Sequence, residues 1–410
     1  NVDGDPYAIA GPVFTGHNPD TDIDMGVVIA PVGAGGEPFN SFDMGVYGAD
    51  YIAYLQGSRP DAGHPLRMVW EPDRGWAWSS ASGSRIDIRD TAAYDDTVLL
   101  HEYGHYAVIN WSANSNPGGS HTLADCDQNP TLAWDEGHAS FFGNSILRHF
   151  GLPRPNIYVA TTGGAGPGHL RTWFDLENEV PFQCSGSTGE VAIYTALWDM
   201  FDGPDTEDDT PGSDDGPMDT LDLPDHDHWD NMVNGLIGRE YITAEDYWDS
   251  WFLPPVDNGH LAEMISIWAD GVEIEYFQDS NEPNAVRREA TPISADGTLR
   301  HGTFFLDPEE DGAGDNSHED DWYSFQAVEG WRYRIETLNL LSAADTILRI
   351  AEANGRSTLA RSNNKGGDDG SAFIEWVAIA TGTFYVEVSQ SNDWTYYGSY
   401  DLKITPPPDS

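Results

Sequence analysis

The sequence predicts an α+β domain followed by an all-β sandwich, on three observations. The chain has 410 residues, 39% of them hydrophobic, too long for one ordinary core and apolar enough for two. Through residue 277 short strands give way to apolar residues at helical spacing; beyond it they alternate in short runs. Between the two lies Gln278-Asp279-Ser280-Asn281-Glu282-Pro283-Asn284, polar and broken by proline, which reads as a linker. The domains are accordingly 1–277 and 278–410.

Taken in order, residues 1–90 read as a β-rich upper lobe with one helix. Residues 40–55 have helical spacing through Phe42, Met44, Val46, Tyr47, Tyr51, Ile52 and Leu55. Strands are expected at 66–70, 76–80 and 85–88, punctuated by Asp73-Arg74-Gly75 and Ser82-Gly83-Ser84. The edge strand carrying Trp76, Ala77 and Trp78 can hold an extended peptide by main-chain pairing; the plain alternative is that its aromatics are core. Helices follow at 95–109, 132–142, 229–237, 243–251 and 259–269, with Thr243 a natural N-cap. These make a helical lower lobe, with a cleft between the lobes as the place for a site. Beyond the linker, strands are expected at 303–306, 322–327, 333–338, 346–351, 372–379, 383–388 and 399–404, the count and turn spacing of a sandwich.

The chemistry concentrates in Leu99-Leu100-His101-Glu102-Tyr103-Gly104-His105-Tyr106. Residues four apart on a helix stack on one face, so His101 and His105 can offer two imidazoles to one ion. Zinc suits the pair, since two imidazoles leave a tetrahedral ion short of one protein ligand and keep a place for water. Glu102 is then positioned to take a proton from that water. Asp95 and Asp96 favour a helix start, and Val98, Leu99, Leu100, Ala107, Val108 and Ile109 make the helix a buried one. A glutamate amid that hydrocarbon is expensive unless a metal justifies it. Gly104 costs the helix about 1 kcal/mol relative to Ala, which a close backbone approach beside the metal would explain.

A third ligand is expected on the next helix, in Leu132-Ala133-Trp134-Asp135-Glu136-Gly137-His138-Ala139-Ser140-Phe141-Phe142. Glu136 is the choice. Asp135 would face another side of the helix, and His138 stands as a rival ligand.

Charge and cysteines narrow the setting. With 69 acidic and 19 basic residues the formal charge is -50, which opposes nucleic acid and anionic membranes as partners. Lys365 and Lys403 are the only lysines. Such a surface fits a salt-rich or calcium-rich exterior and equally an ordinary secreted protein. No apolar run has the length of a membrane span, and the start at Asn1 is compatible with a mature, secreted form. In an exported protein Cys126 and Cys184 pair, worth about 4 kcal/mol on the chain-entropy estimate. The acidic loop at 202–230, and Asp315, Glu319, Asp320 and Asp321, suit either solvated charge or calcium.

His-Glu-Tyr-Gly-His followed some thirty residues later by Trp134-Asp135-Glu136-Gly137-His138-Ala139 resembles the gluzincin metallopeptidases, thermolysin-like and fungalysin-like. The resemblance implies His101, His105 and Glu136 as zinc ligands and Glu102 as general base. Gly189-Glu190 through Leu197-Trp198-Asp199 is similar to the helix that follows in fungalysin-like enzymes. The family's histidine before that helix is missing from Gln183-Cys184-Ser185-Gly186-Ser187-Thr188, and the acid expected four residues after the glutamate ligand is Ser140. Tyr194 is therefore the first candidate for oxyanion donor, His226 or His228 the second, and Asp199 a candidate partner for a ligand histidine. Asn281-Glu282-Pro283-Asn284, Asp320-Asp321-Trp322-Tyr323-Ser324-Phe325 and Gly382-Thr383-Phe384-Tyr385-Val386-Glu387-Val388 resemble the bacterial pre-peptidase C-terminal domain, an accessory module of secreted peptidases.

The expectation is a secreted zinc endopeptidase acting on protein or peptide substrates, with calcium as a second possible ion. Two alternatives stay open: an adhesion or binding protein with a degenerate peptidase lobe, and an aminopeptidase.

Overall fold

The structure, a computed structural model, describes residues 35–70, 79–89, 91–162, 170–177, 184–203, 221–253, 255–256, 258–305, 320–341, 344–352, 357–363, 370–391 and 398–407. It is a mixed α/β chain with several sheets. Its described residues divide into two compact units. The first draws on Asn1–Asn114, Asp135–Pro181 and Pro224–Glu240, the second on Ser115–Trp134, Phe182–Leu223 and Tyr241–Ser410.

In the first unit α1 (Glu37–Gln56) lies against α2 (Asp96–Trp111). Gly48 allows the approach, since a Cβ there would stand 2.5 Å from the Tyr103 ring. Asn40 fixes it by donating to Asp96 Oδ1 (2.8 Å) and to the Ala93 carbonyl (3.0 Å) at the head of α2. The strands β1 (Arg67–Trp70), β2 (Ser80–Ser82) and β3 (Arg85–Ile88) form a sheet in the order β1-β3-β2. The expected strand at 76–80 falls mostly outside the described residues, as do Trp76, Ala77 and Trp78.

α3 (Pro130–His149) starts at a proline, where the missing N–H costs nothing, and the Asn129 side chain accepts from the backbone N–H of Thr131 (3.0 Å) and Leu132 (3.3 Å). Its residues from Asp135 onward belong to the first unit. A hairpin not expected from the sequence follows, β4 (Ile157–Thr162) and β5 (Leu170–Asp175), paired antiparallel. Thr97 of α2 holds β4, because its hydroxyl donates to the Val159 carbonyl and accepts from the Val159 N–H. α5 (Asp225–Asp230) runs on as a π-helical turn, Asn231–Gly235, and is tied to α3 by Arg148 and Asp225.

In the second unit every residue of α4 (Glu190–Phe201) is buried, which accounts for its apolar sequence all round. α6 (Ala244–Phe252) begins with a capping box between Thr243 and Asp246, and α7 (Leu261–Ile265) continues as a π-helical turn, Ser266–Gly271. Cys126 and Cys184 are disulfide-bonded.

Among the described residues the sandwich has nine strands: β6 (Thr291–Pro292), β7 (Leu299–Thr303), β8 (Asp320–Ala327), β9 (Arg332–Leu341), β10 (Thr346–Ala351), β11 (Thr358–Ser362), β12 (Phe373–Val377), β13 (Gly382–Gln390) and β14 (Ser399–Thr405). One sheet runs β11-β10-β13-β8-β6, the other β12-β9-β14-β7. Inward residues of both, among them Tyr323, Phe325, Ile335, Leu348, Trp376, Val386 and Leu402, form one core. Six of the seven expected strands are present. The one expected at 303–306 is replaced by β7, whose exposed Arg300 and His301 hid it, and a polar edge strand is what a sheet boundary calls for.

Candidate metal centre

α2 and α3 meet backbone to backbone. A Cβ on Gly104 would lie 2.7 Å from the Ala139 carbonyl oxygen and 2.8 Å from Ala139 Cα; one on Gly143 would lie 2.9 Å from His101 N. The bare glycine that costs α2 its propensity is thus the condition for the helices to touch, and it brings side chains of the two helices within direct reach of each other.

Among the described residues one group of three His, Cys, Asp or Glu side chains brings its donor atoms within 4.8 Å of one another, and it is His101, His105 and Glu136. His101 Nε2 and His105 Nε2 are 3.1 Å apart, and each is 3.2 Å from Glu136 Oε2. A tetrahedral ion with nitrogen and oxygen donors at about 2.0–2.1 Å has donor–donor edges of about 3.3 Å, so the triangle has the size of one face of that polyhedron. All three side chains are largely buried.

The other nitrogen of each ring is also held. His105 Nδ1 is 2.7 Å from Asp135 Oδ2, and His101 Nδ1 is 2.8 Å from Ser140 Oγ. A carboxylate only accepts, so Asp135 keeps a proton on Nδ1 of His105. Nε2 of the neutral ring then presents a lone pair to the Glu136 carboxylate and to His101. With both Nε2 atoms unprotonated, two imidazole nitrogens and a carboxylate converge in a buried space, and a cation there, metal ion or proton, relieves them. The same pull shows in the His105 titration: burial lowers its pKa, but the carboxylates Asp135 and Glu136 more than offset this and hold it well above the ordinary value. A ligand imidazole braced by a carboxylate is the usual outer arrangement of a metal site.

Of the residues singled out from the sequence, His101, His105 and Glu136 come together, and Glu102 lies buried beside them in the chain on α2. Asp135 does face another side of α3 from Glu136, as expected, and that is what lets the two neighbours grip opposite nitrogens of one ring. Ser140 stands where an acid was expected and still reaches His101. Asp135 and Ser140 hold the two Nδ1 positions at which a bracing partner such as Asp199 would act. Asp199 and Tyr194 both lie buried on α4, in the second unit.

His138, the rival ligand, points elsewhere, its Nε2 3.0 Å from Nε2 of His228 on α5. Burial drives the His138 pKa down to about 3 and that of His228 well below the ordinary value, so two neutral rings share one hydrogen bond. His226 has its Nε2 3.2 Å from the Tyr54 carbonyl. The bracing roles of Asp135 and Ser140 were missed for want of the ring orientations, which no spacing rule supplies.

No protein-family model matches the chain. It is 28% identical over 137 residues, 33% of this chain, to an uncharacterized protein of Archaeoglobus fulgidus, and the match spans 35% of that relative's length. Among solved structures it is similar to the pre-peptidase C-terminal domain of a collagenase from Bacillus anthracis, at 18% identity and a TM-score of 0.22, over 28% of this chain and 94% of that one. It is also similar to PliG of Aeromonas hydrophila, a periplasmic inhibitor of g-type lysozyme, at 10% identity and a TM-score of 0.19, over 32% of this chain and 93% of that one.

Proposed function

We propose that the chain is a secreted zinc endopeptidase of the gluzincin type carrying a pre-peptidase C-terminal-like sandwich. The observation that carries the reading is the 3.1–3.2 Å triangle of His101, His105 and Glu136, with both rings braced from behind. Bound zinc supplies Lewis acidity and makes water ionisable near neutral pH. Glu102, buried next to the first ligand, takes the proton from the attacking water and returns it to the leaving amine. Asp135 fixes the tautomer of His105, and Asp135 and Ser140 together hold the tilt of the two rings.

The same donor set suits iron(II), but a buried carboxylate following the first ligand has a task in hydrolysis and none in oxygen chemistry. Ser140 in contact with His101 removes one reason for regarding the site as degenerate. Secretion is supported by the disulfide, by the acidic composition and by the finding that no described helix is long and apolar enough to cross a membrane.

At the head of β8 the Asp321 carboxylate accepts from the Tyr400 hydroxyl, and among the described residues no group of three carboxylates gathers around it to hold calcium. Of the four residues considered for calcium there, Asp320 and Asp321 are on β8, and Asp315 and Glu319 lie outside the described residues.

The test is metal content of the purified protein together with hydrolysis of casein. Glu102→Gln should keep the metal and lose turnover at least about 100-fold. Full activity in that variant, or iron in place of zinc, would remove the reading.

A further inference from the structure

We propose that residues 275–284 are an edge strap of the sandwich and not a linker, and that the strap makes the sandwich a permanent part of the unit that holds α4. The sandwich is then no accessory module to be released by cutting between domains. The inference stands apart from the peptidase reading.

Among the described residues β7 ends its sheet, paired with β14 alone. A bare edge of that kind offers its N–H and carbonyl groups to any other chain. Here the segment supplies what a neighbouring strand would. The Asn281 amide donates to the His301 carbonyl (2.6 Å), and the Asp279 carboxylate accepts from the Thr303 N–H (2.8 Å). The Thr303 hydroxyl donates to the Phe277 carbonyl (2.7 Å), and Glu275 lies 2.8 Å from His301 Nε2. On the other sheet, the Thr291 hydroxyl of β6 donates to the Asn281 carbonyl (2.6 Å) and the Trp322 N–H of β8 to the Asn284 carbonyl (2.9 Å). One short segment thus fastens both sheets, and Asn281 and Asn284 are buried in doing so. An ordinary domain boundary is exposed and few contacts cross it. The polarity that reads as a linker in the sequence is here turned onto strand backbone.

The other end of the strap is bound to the helices of the same unit. The Val272 carbonyl accepts from the Gly186 N–H (2.7 Å), the Ile274 N–H donates to the Trp268 carbonyl (2.8 Å), and the Tyr276 ring meets Phe305 at 5.0 Å. Gly186 stands between the disulfide-bonded Cys184 and Gly189, the N-cap of α4. The Trp268 indole N–H donates to Sδ of Met200 on α4 (3.2 Å). Direct contacts therefore run without a break from α4 through residues 272–284 to both sheets, all within the second unit. A protease needs the segment it cuts to be free of such bonds, so cleavage at the strap waits for the sandwich edge to open.

Residue-resolved hydrogen exchange on the full chain tests the strap directly. The amides of Thr303 and Trp322, whose acceptors lie on the strap, should exchange at least about 100-fold more slowly than unprotected amides. Asp279→Ala should speed Thr303 at least about ten-fold and leave Val386, in the core on β13, unchanged. With chymotrypsin, and the cut bond identified by mass spectrometry, cleavage after Tyr276 or Phe277 of the folded chain should be at least about 100-fold slower than in a synthetic peptide of residues 272–288. Exchange of Thr303 and Trp322 at the unprotected rate overturns the proposal, as does cleavage after Phe277 as fast as in the peptide. Unchanged exchange at Thr303 in a folded Asp279→Ala variant overturns it as well. If that variant does not fold, the two measurements on the unaltered chain decide the matter between them.

Discussion

Gly104→Ala separates the packing of the two helices from the chemistry they carry. The added Cβ would fall 2.7 Å from the Ala139 carbonyl oxygen, where ordinary contact needs about 3.4 Å, so the helices must part by about 0.7 Å. The 3.1 Å edge between the histidines lies within α2 and stays. The two 3.2 Å edges to Glu136 cross from α2 to α3 and would lengthen to about 3.9 Å. At tetrahedral angles equal bonds to all three donors would then stretch by about 0.3 Å, beyond the 0.2 Å or so that metal sites tolerate, and shorter bonds would require the ion to flatten into the plane of its ligands. Zinc affinity should fall about 10–100-fold, or about 1.4–2.7 kcal/mol. Without metal, alanine gains about 1 kcal/mol of helix propensity against about 1–3 kcal/mol of overpacking, so stability should be flat or slightly lower. Competition with a chromophoric chelator measures the first quantity, and denaturation in EDTA the second. Unchanged zinc affinity together with a stability gain of about 1 kcal/mol would refute the close-contact argument. Gly143→Ala tests it from the other crossing point.

Asp135→Asn and Ser140→Ala should each weaken zinc about 10–100-fold by chelator competition, with the carboxylate the more costly loss; unaltered affinity in both would mean that packing alone orients the rings. Reduction of Cys126–Cys184 should lower unfolding stability by about 4 kcal/mol in denaturant titrations, because it frees a long loop in the unfolded chain. Glu275 lies 2.8 Å from His301 and ties the segment before the linker to β7. Its hydrogen bond raises the His301 pKa against the opposing effect of burial, while His301 lowers that of Glu275. The raised histidine contributes stability that is full below about pH 6.5 and is lost as pH climbs through its folded value. The depressed carboxylate contributes above about pH 4.3 and loses this as pH falls. The clamp is therefore strongest between about pH 4.5 and 6.5, and His301→Gln should flatten the pH profile of the denaturation midpoint on the alkaline side of that window. The effect is small, since His301 is about half exposed.

What could be read from the sequence, and what could not, follows from the range of the interactions. Helix α1 was legible because its apolar residues repeat with the turn of the helix, and the sandwich strands because theirs alternate, whereas α4 is apolar all round and was read from its resemblance to the fungalysin-like helix. The hairpin β4–β5 carried a signal that went unread: Ile157-Tyr158-Val159-Ala160-Thr161-Thr162 is rich in β-formers and is followed by Gly163-Gly164. β7 carried none, since its exposed residues lack the alternation. The two histidines were legible from a four-residue spacing within one helix. Glu136 needed a second helix at an unknown crossing, and the braces needed ring orientations as well.

The crossing itself links these levels. Glycine at 104 weakens α2 as a helix, and local preference alone would select against it. Its compensation lies in α3, where Ala139 occupies the space a side chain would have taken, and where Glu136 and Ser140 stand three residues before it and one after. With a larger residue at either crossing point, two imidazoles and a carboxylate on separate helices could not present donors 3.2 Å apart. The local conflict at Gly104 is therefore a pointer to the site in its own right, independent of the histidines, and it marks α3 as the element that must supply the remaining donor.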